Sequence, residues 1–214
     1  MSIRVVLGLL VLSFTGCSSM YYGALEKVGF AKRDLLVSRV EDAREAQGEA
    51  KEQFASALEQ LLEITRSDGG DLRRNYDRLN RELTRSEERA TAVREKIASV
   101  EDVANALFRE WKSELKQYEN ESLRRSSEQQ LIATQQRYET LLDLMRRAAT
   151  RMEPVLSTFR DQTLFLKHNL NARAIAGLDA TARELEGDVS ALIADMERSI
   201  READEFIAQL QAAG

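Results

Sequence analysis

Residues 36–64 read LVSRVEDAREAQGEAKEQFASALEQLLEI and place apolar side chains at alternating spacings of three and four residues. Such a repeat forms one stripe along an α-helix, which is typical of a helix that packs in a bundle or coiled coil. Gln47 is the one polar residue in the stripe. The stripe consists of Leu36, Val40, Ala43, Gln47, Ala50, Phe54, Ala57, Leu61 and Ile64.

Three further segments carry the same repeat, at residues 72–111, 131–170 and 178–210. Together the four segments predict four helices of about 40 residues, each roughly 60 Å long at a rise of 1.5 Å per residue. Short connections make consecutive helices antiparallel. The predicted fold is therefore all-α, an elongated antiparallel four-helix bundle or coiled coil.

Capping residues and glycines mark the predicted helix boundaries. Ser67 to Asp71 contains a glycine pair and predicts the first turn. The polar stretch from Asn120 to Ser127 predicts a loop, with helix 3 beginning near the end of it. The third break is predicted within His168 to Asp179, and Thr181 to Glu184 has the form of a capping box, so helix 4 is expected to begin near Ala180.

The composition agrees with a helical protein. The chain has one proline, ten glycines and 31% charged residues, which leaves little material for the turns of a β-rich fold. The single proline, Pro154, lies in the third segment but off its apolar stripe, so we expect it to bend that helix without ending it. The net charge of −5 removes the general attraction to phosphate backbones, so nucleic acid is not an expected partner.

The N-terminus predicts an export signal and a lipid anchor. Arg4 precedes an apolar run that is too short to span a bilayer but has the length of a signal-peptide core. The run ends in FTGC at residues 14–17, which resembles the lipobox of bacterial lipoproteins, although that motif most often has Leu where this chain has Phe14. By this resemblance Cys17 is lipidated and residues 1–16 are removed. The alternatives are an ordinary signal peptide or an uncleaved anchor.

The predicted organisation is a signal peptide at residues 1–16, a lipidated tether at 17–23 and a helical domain at 24–214. Two or more acyl chains hold a protein stably on a membrane, so the mature protein needs no transmembrane helix. Ser18 replaces the Asp that acts as an inner-membrane retention signal in enteric lipoproteins. The resemblance therefore favours the periplasmic face of the outer membrane.

Two stretches of the chain resemble the DUF2959 family of bacterial lipoproteins. The first contains KRD at residues 32–34 and RVEDAR at 39–44, and the second contains FLKHNLNA at 165–172. The resemblance covers nearly the whole predicted mature chain. Because that family has no assigned function, it supports the helical architecture and implies no chemistry.

The sequence offers no catalytic or metal-binding set. His168 is the only histidine, and Phe165 stands where a helical di-iron site needs Glu. A zinc site lacks partners, since Cys17 is assigned to lipid. There is no glycine-rich phosphate loop, and acids alternate with bases as on a solvated helix face. We expect no enzymatic activity, metal or cofactor, and we expect His168 to interact with the dipole of a helix C-terminus.

The predicted topology brings basic residues to the end of the bundle next to the lipid. A tether of about seven residues reaches at most roughly 25 Å, so the start of helix 1, the second connection and the C-terminus are expected near the membrane. Each basic residue at an anionic surface contributes about 1 kcal/mol, although neighbouring glutamates oppose this attraction. The candidate residues are Lys27, Lys32, Arg33, Arg124 and Arg125.

These patterns predict a structural or adaptor lipoprotein of the cell envelope, whose bundle projects into the periplasm toward a protein partner. The alternative is a protein that lies along the bilayer or shapes it. That alternative requires a basic face along one helix, whereas acids and bases are mixed throughout. The sequence identifies neither the partner nor the oligomeric state.

Overall fold

A computed structural model describes residues 32–66, 71–169 and 172–212, without the side chains of residues 172–177 and 179. Four helices account for almost all of these residues: α1 (Lys32–Arg66), α2 (Leu72–Glu114), α3 (Glu121–His168) and α4 (Ala172–Ala212). A short 3₁₀ turn, Leu115–Gln117, follows α2. The described residues contain no strand. The prediction of an all-α bundle is confirmed.

The apolar stripes form the core. Every residue of the α1 stripe is buried, including Gln47. The stripes of the other helices are buried along most of their length, with partial exposure at positions such as Tyr76 and Trp111. The core also contains apolar side chains beside the predicted stripes, such as Phe108, Leu141 and Phe206. Each helix therefore buries a band wider than the strict repeat predicts, as helices of a globular bundle do.

One predicted helix boundary agrees with the structure and a second one does not. As predicted, α1 ends at Arg66 and α2 begins at Leu72, and the Asp71 side chain caps α2 by accepting a hydrogen bond from the Arg74 amide at 3.1 Å. The predicted loop from Asn120 to Ser127 is wrong, because α3 already begins at Glu121. Asn120 Oδ1 accepts hydrogen bonds from the backbone amides of Ser122 and Leu123, at 3.0 and 3.1 Å. This N-cap starts the helix earlier than the serines at the end of the predicted loop would.

The start of α4 also differs from the prediction. The helix begins at Ala172, so the capping-box residues Thr181 to Glu184 lie inside it and do not begin it. The helix continues because residues 172–182 include five alanines, which favour helix more than any other residue. Pro154 lies within α3 on its exposed side, and the helix continues past it as predicted.

The helices form a ring in which each contacts the next, and α4 returns to contact α1. Ion pairs join all four interfaces. Between α1 and α2, α2 and α3, and α4 and α1, the residue numbers rise along one helix as those of their partners fall along the other. Consecutive helices are therefore antiparallel, and the starts of α1 and α3 share one end of the bundle with the ends of α2 and α4. Representative pairs are Lys32–Glu110, Lys96–Asp42, Arg146–Glu101, Arg160–Glu87, Arg151–Asp195, Arg44–Asp204 and Lys51–Glu197.

One layer of the core is polar and unsatisfied. Gln47 of α1 and Ser199 of α4 are both fully buried, and neither the Gln47 amide nor the Ser199 hydroxyl has a hydrogen-bond partner within the described structure. The ion pairs Arg44–Asp204 and Lys51–Glu197 flank this layer on both sides. A buried polar group without a partner costs about 1–3 kcal/mol, so this layer lowers the stability of the bundle.

We predict that Gln47→Met raises the stability of the protein. Methionine has a similar volume and no polar atom to leave unsatisfied, so the free energy of unfolding should increase by about 1 kcal/mol or more. Thermal denaturation should show a melting temperature higher by about 2–4 °C for a domain of this size. Gln53→Met is the matched control on the same helix, because Gln53 Nε2 donates to Glu82 Oε2 at 2.7 Å and the substitution removes that bond. Equal or lower stability of Gln47→Met would contradict the prediction.

Candidate functional site

The titratable residues of the described chain do not form a catalytic constellation. No group of three His, Cys, Asp or Glu side chains there is arranged to hold a metal ion. His168 is the last residue of α3 and is exposed, which is the helix C-terminal position predicted for it. Burial raises the pKa of Tyr138 to about 12. Its ring packs edge-on against Phe108 with centroids 5.4 Å apart, so Tyr138 is a neutral core residue.

A network of charged side chains crosses the interface between α2 and α3. Glu153 accepts hydrogen bonds from Arg94 at 3.0 Å and from Arg160 at 2.9 Å, and Arg160 also donates to Glu87 at 2.6 Å. The hydrogen bond from Arg160 is the main cause that lowers the pKa of Glu153 below its ordinary value. Each arginine in the network has a carboxylate partner. The network therefore fixes the register of the two helices and presents no uncompensated charge to a substrate.

The network predicts a pH dependence that Glu153→Gln should remove. Because the folded-state pKa of Glu153 is lowered, its contribution to stability is present above the unfolded pKa of about 4.3 and is lost as the pH falls through the folded value. The variant should melt below the wild-type protein at pH 7, and the difference should shrink as the pH falls below the unfolded pKa.

Thermal denaturation across this pH range measures the effect. Glu128→Gln serves as the control, because Glu128 is an exposed carboxylate on the same helix. A stability difference between wild type and Glu153→Gln that persists unchanged at pH 3 would show that the Glu153 charge is not its source.

A second charged cluster lies between α3 and α4. The Asp195 side chain is only 3% exposed and accepts hydrogen bonds from Arg151 of α3 and Arg198 of α4. Two guanidinium groups compensate one buried carboxylate, which is the condition under which a buried charge is tolerated. Asp195 thus anchors α4 to α3. It lies outside the predicted stripe, so the sequence repeat did not reveal it.

One apolar opening lies at the end of the bundle where α1 begins. This end cleft has a volume of about 240 Å³. Four residues of α3 form one wall at helical spacings of three and four, and α4 forms the other wall. Arg33 of α1 and Trp111 of α2 also line it, with the Arg33 guanidinium 5.7 Å from the centroid of the indole ring. The complete lining is Arg33, Trp111, Gln130, Ala133, Thr134, Arg137, Phe206, Gln209 and Leu210.

Trp111 is held in place by polar and apolar contacts. Its indole Nε1 donates to Ser127 Oγ at 2.8 Å, and the ring packs against the core from a partly buried position. Trp111 is the last position of the second predicted apolar segment, residues 72–111, and its partly buried ring fits that position. The sequence did not predict the cleft. The sequence does show four residues at spacings that place them on one helix face: Gln130, Ala133, Thr134 and Arg137.

The basic residues predicted at this end have different environments. Lys32 is largely buried and forms an ion pair with Glu110 at 2.8 Å, and Arg33 stacks on Trp111. Arg124 and Arg125 are exposed and both pair with Glu121, at 3.6 and 2.7 Å. Lys27 and Cys17 lie outside the described residues. The topology brings Lys32, Arg33, Arg124 and Arg125 to one end as predicted, while their contact with a membrane stays a prediction.

The second opening, the side groove, lies between α1 and α4 nearer the opposite end of the bundle. It has a volume of about 370 Å³. Leu58, Leu62 and Ile193 form its apolar surface and are half-buried against the core, while Glu59 and Glu63 stand at its edge. The sequence did not predict this groove, because its leucines and isoleucine lie beside the predicted stripes. The sequence does contain a signal for the groove, since each of these three residues comes one position after a stripe residue. The lining also includes Ala55, Arg66, Val189 and Ser190.

Comparison with known proteins gives one match. The model of a family described as protein of unknown function (DUF2959) matches residues 21–210, which is most of the chain. The expected family is therefore confirmed. No curated protein and no solved structure matches the chain. None of the helices in the described part of the chain has a segment of the length and apolarity needed to cross a membrane.

Proposed function

We propose that this chain, which belongs to the DUF2959 family, is a lipid-anchored structural or adaptor protein that holds a helical partner protein in the side groove. The family itself has no known function, so the proposal is argued from the groove and from the N-terminal sequence. The proposed location is the periplasmic side of the cell envelope, at the outer membrane. No enzymatic activity, metal or cofactor is part of the proposal.

The observation that carries the proposal is the half-buried apolar surface of the side groove. Leu58 and Leu62 of α1 lie four residues apart on one helix face, and Ile193 faces them from α4. An amphipathic helix inserts apolar side chains at the same spacing, so a partner helix of this kind fits between α1 and α4. Glu59, Glu63 and Arg66 line the groove together, so they favour a partner helix with residues of both charges beside its apolar face.

The N-terminal sequence supports the anchoring part of the proposal. Cys17 follows an apolar run and a small residue, and the family match begins at Tyr21, shortly after it. The distance from Cys17 to Lys32 is at most about 50 Å for a fully extended chain. Because the chain enters α1 at the same end as the end cleft, we expect that end to lie closer to the lipid and the side groove to lie farther into the periplasm, where a partner reaches it.

Substitution of Cys17 tests the anchor. In Cys17→Ser the acceptor thiol is lost, so we expect either an unprocessed precursor or a processed protein that no longer fractionates with membranes. Fractionation of cells with metabolic labelling by a radioactive fatty acid measures both properties. Ser18→Ala is the control, since it changes a neighbouring hydroxyl and keeps the thiol. A processed Cys17→Ser protein that remains in the membrane fraction would refute the anchor.

Site-specific photo-crosslinking in cells tests the groove. A benzophenone amino acid at Leu58 should give a discrete crosslinked product, and Ile193→Glu in the same chain should remove it by placing a charge in the apolar groove. The matched control places the same crosslinker at Leu164, an apolar side chain of α3 that is 54% exposed and lies outside the groove. Similar products from both positions, or none from Leu58, would show that the groove does not bind a partner.

A further inference from the structure

We infer that the end cleft binds the headgroup and upper acyl chain of an anionic phospholipid. This inference goes beyond the proposed function, because it assigns a ligand to a second site at the other end of the bundle. It requires no partner in the side groove, and it rests on the proposed function only in the expectation that this end of the bundle faces the membrane. The cleft combines three properties that together define the ligand: its charge, its apolar floor and its size.

The charge of the cleft is opposite to that of the chain. The lining contains two arginines and no carboxylate, although the protein as a whole has a net charge of −5. Arg33 is fixed over the Trp111 ring, and Arg137 is exposed and forms no ion pair with any described residue. Guanidinium groups bind phosphate through paired hydrogen bonds. The cleft therefore favours a ligand with a phosphate group beside Arg137.

The floor of the cleft is apolar. Phe206 and Leu210 are almost completely buried beneath it, and the indole of Trp111 forms part of its wall. Ala133 and Thr134 are small, so α3 leaves space above this floor. A free inorganic anion would gain nothing from these surfaces, whereas burial of each methylene group of an acyl chain contributes about 0.8 kcal/mol. The ligand class is therefore an anionic amphiphile.

The volume limits how much of such a ligand enters. At about 240 Å³ the cleft is slightly smaller than typical ligand pockets of about 300–1,000 Å³. It accommodates a headgroup with the first part of one chain, and the remainder of the chains extends out of the bundle end. A bilayer lipid presents itself in this way when the end of a bundle faces the membrane, and this favours a phospholipid over a free fatty acid or a nucleotide.

Titration with a monomeric lipid tests the inference. Trp111 is the only tryptophan, so intrinsic fluorescence reports on the cleft alone. The full chain, kept in solution by a non-ionic amphipathic polymer, is titrated with dihexanoyl phosphatidylglycerol below its micelle concentration. We expect a saturable shift of Trp111 emission. Dihexanoyl phosphatidylcholine should bind at least about tenfold more weakly, since it carries no net negative charge, and inorganic phosphate should neither shift the emission nor compete.

Two arginines at the same end provide the matched variants. Arg137→Gln removes a cleft guanidinium and should weaken phosphatidylglycerol binding about tenfold, while Arg125→Gln, an exposed arginine outside the cleft, should leave it within about twofold. Circular dichroism checks that both variants retain their helices. The inference is overturned by equal binding of the two lipids, by an equal effect of the two substitutions, or by a loss confined to Arg125→Gln, which would instead support general attraction to exposed basic residues.

Discussion

Each helix of this bundle is apolar along one band and polar around the rest of its surface, so none is stable until its neighbours in the ring cover that band. Isolated helices gain little from their own hydrogen bonds in water, and their stability in proteins comes mainly from packing of the apolar face. Burial of residues such as Phe54, Phe159 and Leu185 in one continuous core is thus the interaction on which the rest depends. The ion pairs between helices are mostly exposed and individually contribute at most about 1 kcal/mol. They select which residues lie opposite one another, and the core supplies the stability.

The same constraint explains which features the sequence predicted. The repeat of three and four determines which face of a helix is buried, so the α1 stripe and the ring of antiparallel helices followed directly from it. Helix ends depend on individual hydrogen bonds, which periodicity does not report. The amides capped by Asn120 start α3 at Glu121, and the alanines after residue 171 let α4 begin before its apparent capping box. Both errors shortened a helix at a place where polar residues were interpreted as a loop.

The functional features were harder to predict because they depend on the spaces between helices. Leu58 of α1 and Ile193 of α4 are far apart in sequence, and each alone is an ordinary residue beside an apolar stripe. The pair becomes a groove only when α4 returns to α1. The same holds for Arg33 and Arg137, whose shared position at one end follows from the antiparallel ring. The sequence did place Lys32, Arg33, Arg124 and Arg125 at that end, but the partners of Lys32 and Arg33, Glu110 and Trp111, emerged only from the packing.

The end cleft and the side groove both border α4, and the side chains that line them give a physical reason. Ala55 and Ser190 lie in the side groove, and Ala133 and Thr134 lie in the end cleft, so small residues occur where a filled interface would have large ones. A close-packed core leaves few spaces of this size, and a space lined by apolar groups loses the contacts that would otherwise stabilise it. Here α4 is packed into the core through its apolar stripe, and charged contacts, notably Asp195 with Arg151 and Arg44 with Asp204, add to that packing. Because these contacts fix α4 between the two openings, apolar surface is left uncovered at both without loosening the bundle, and a ligand or partner helix can cover that surface.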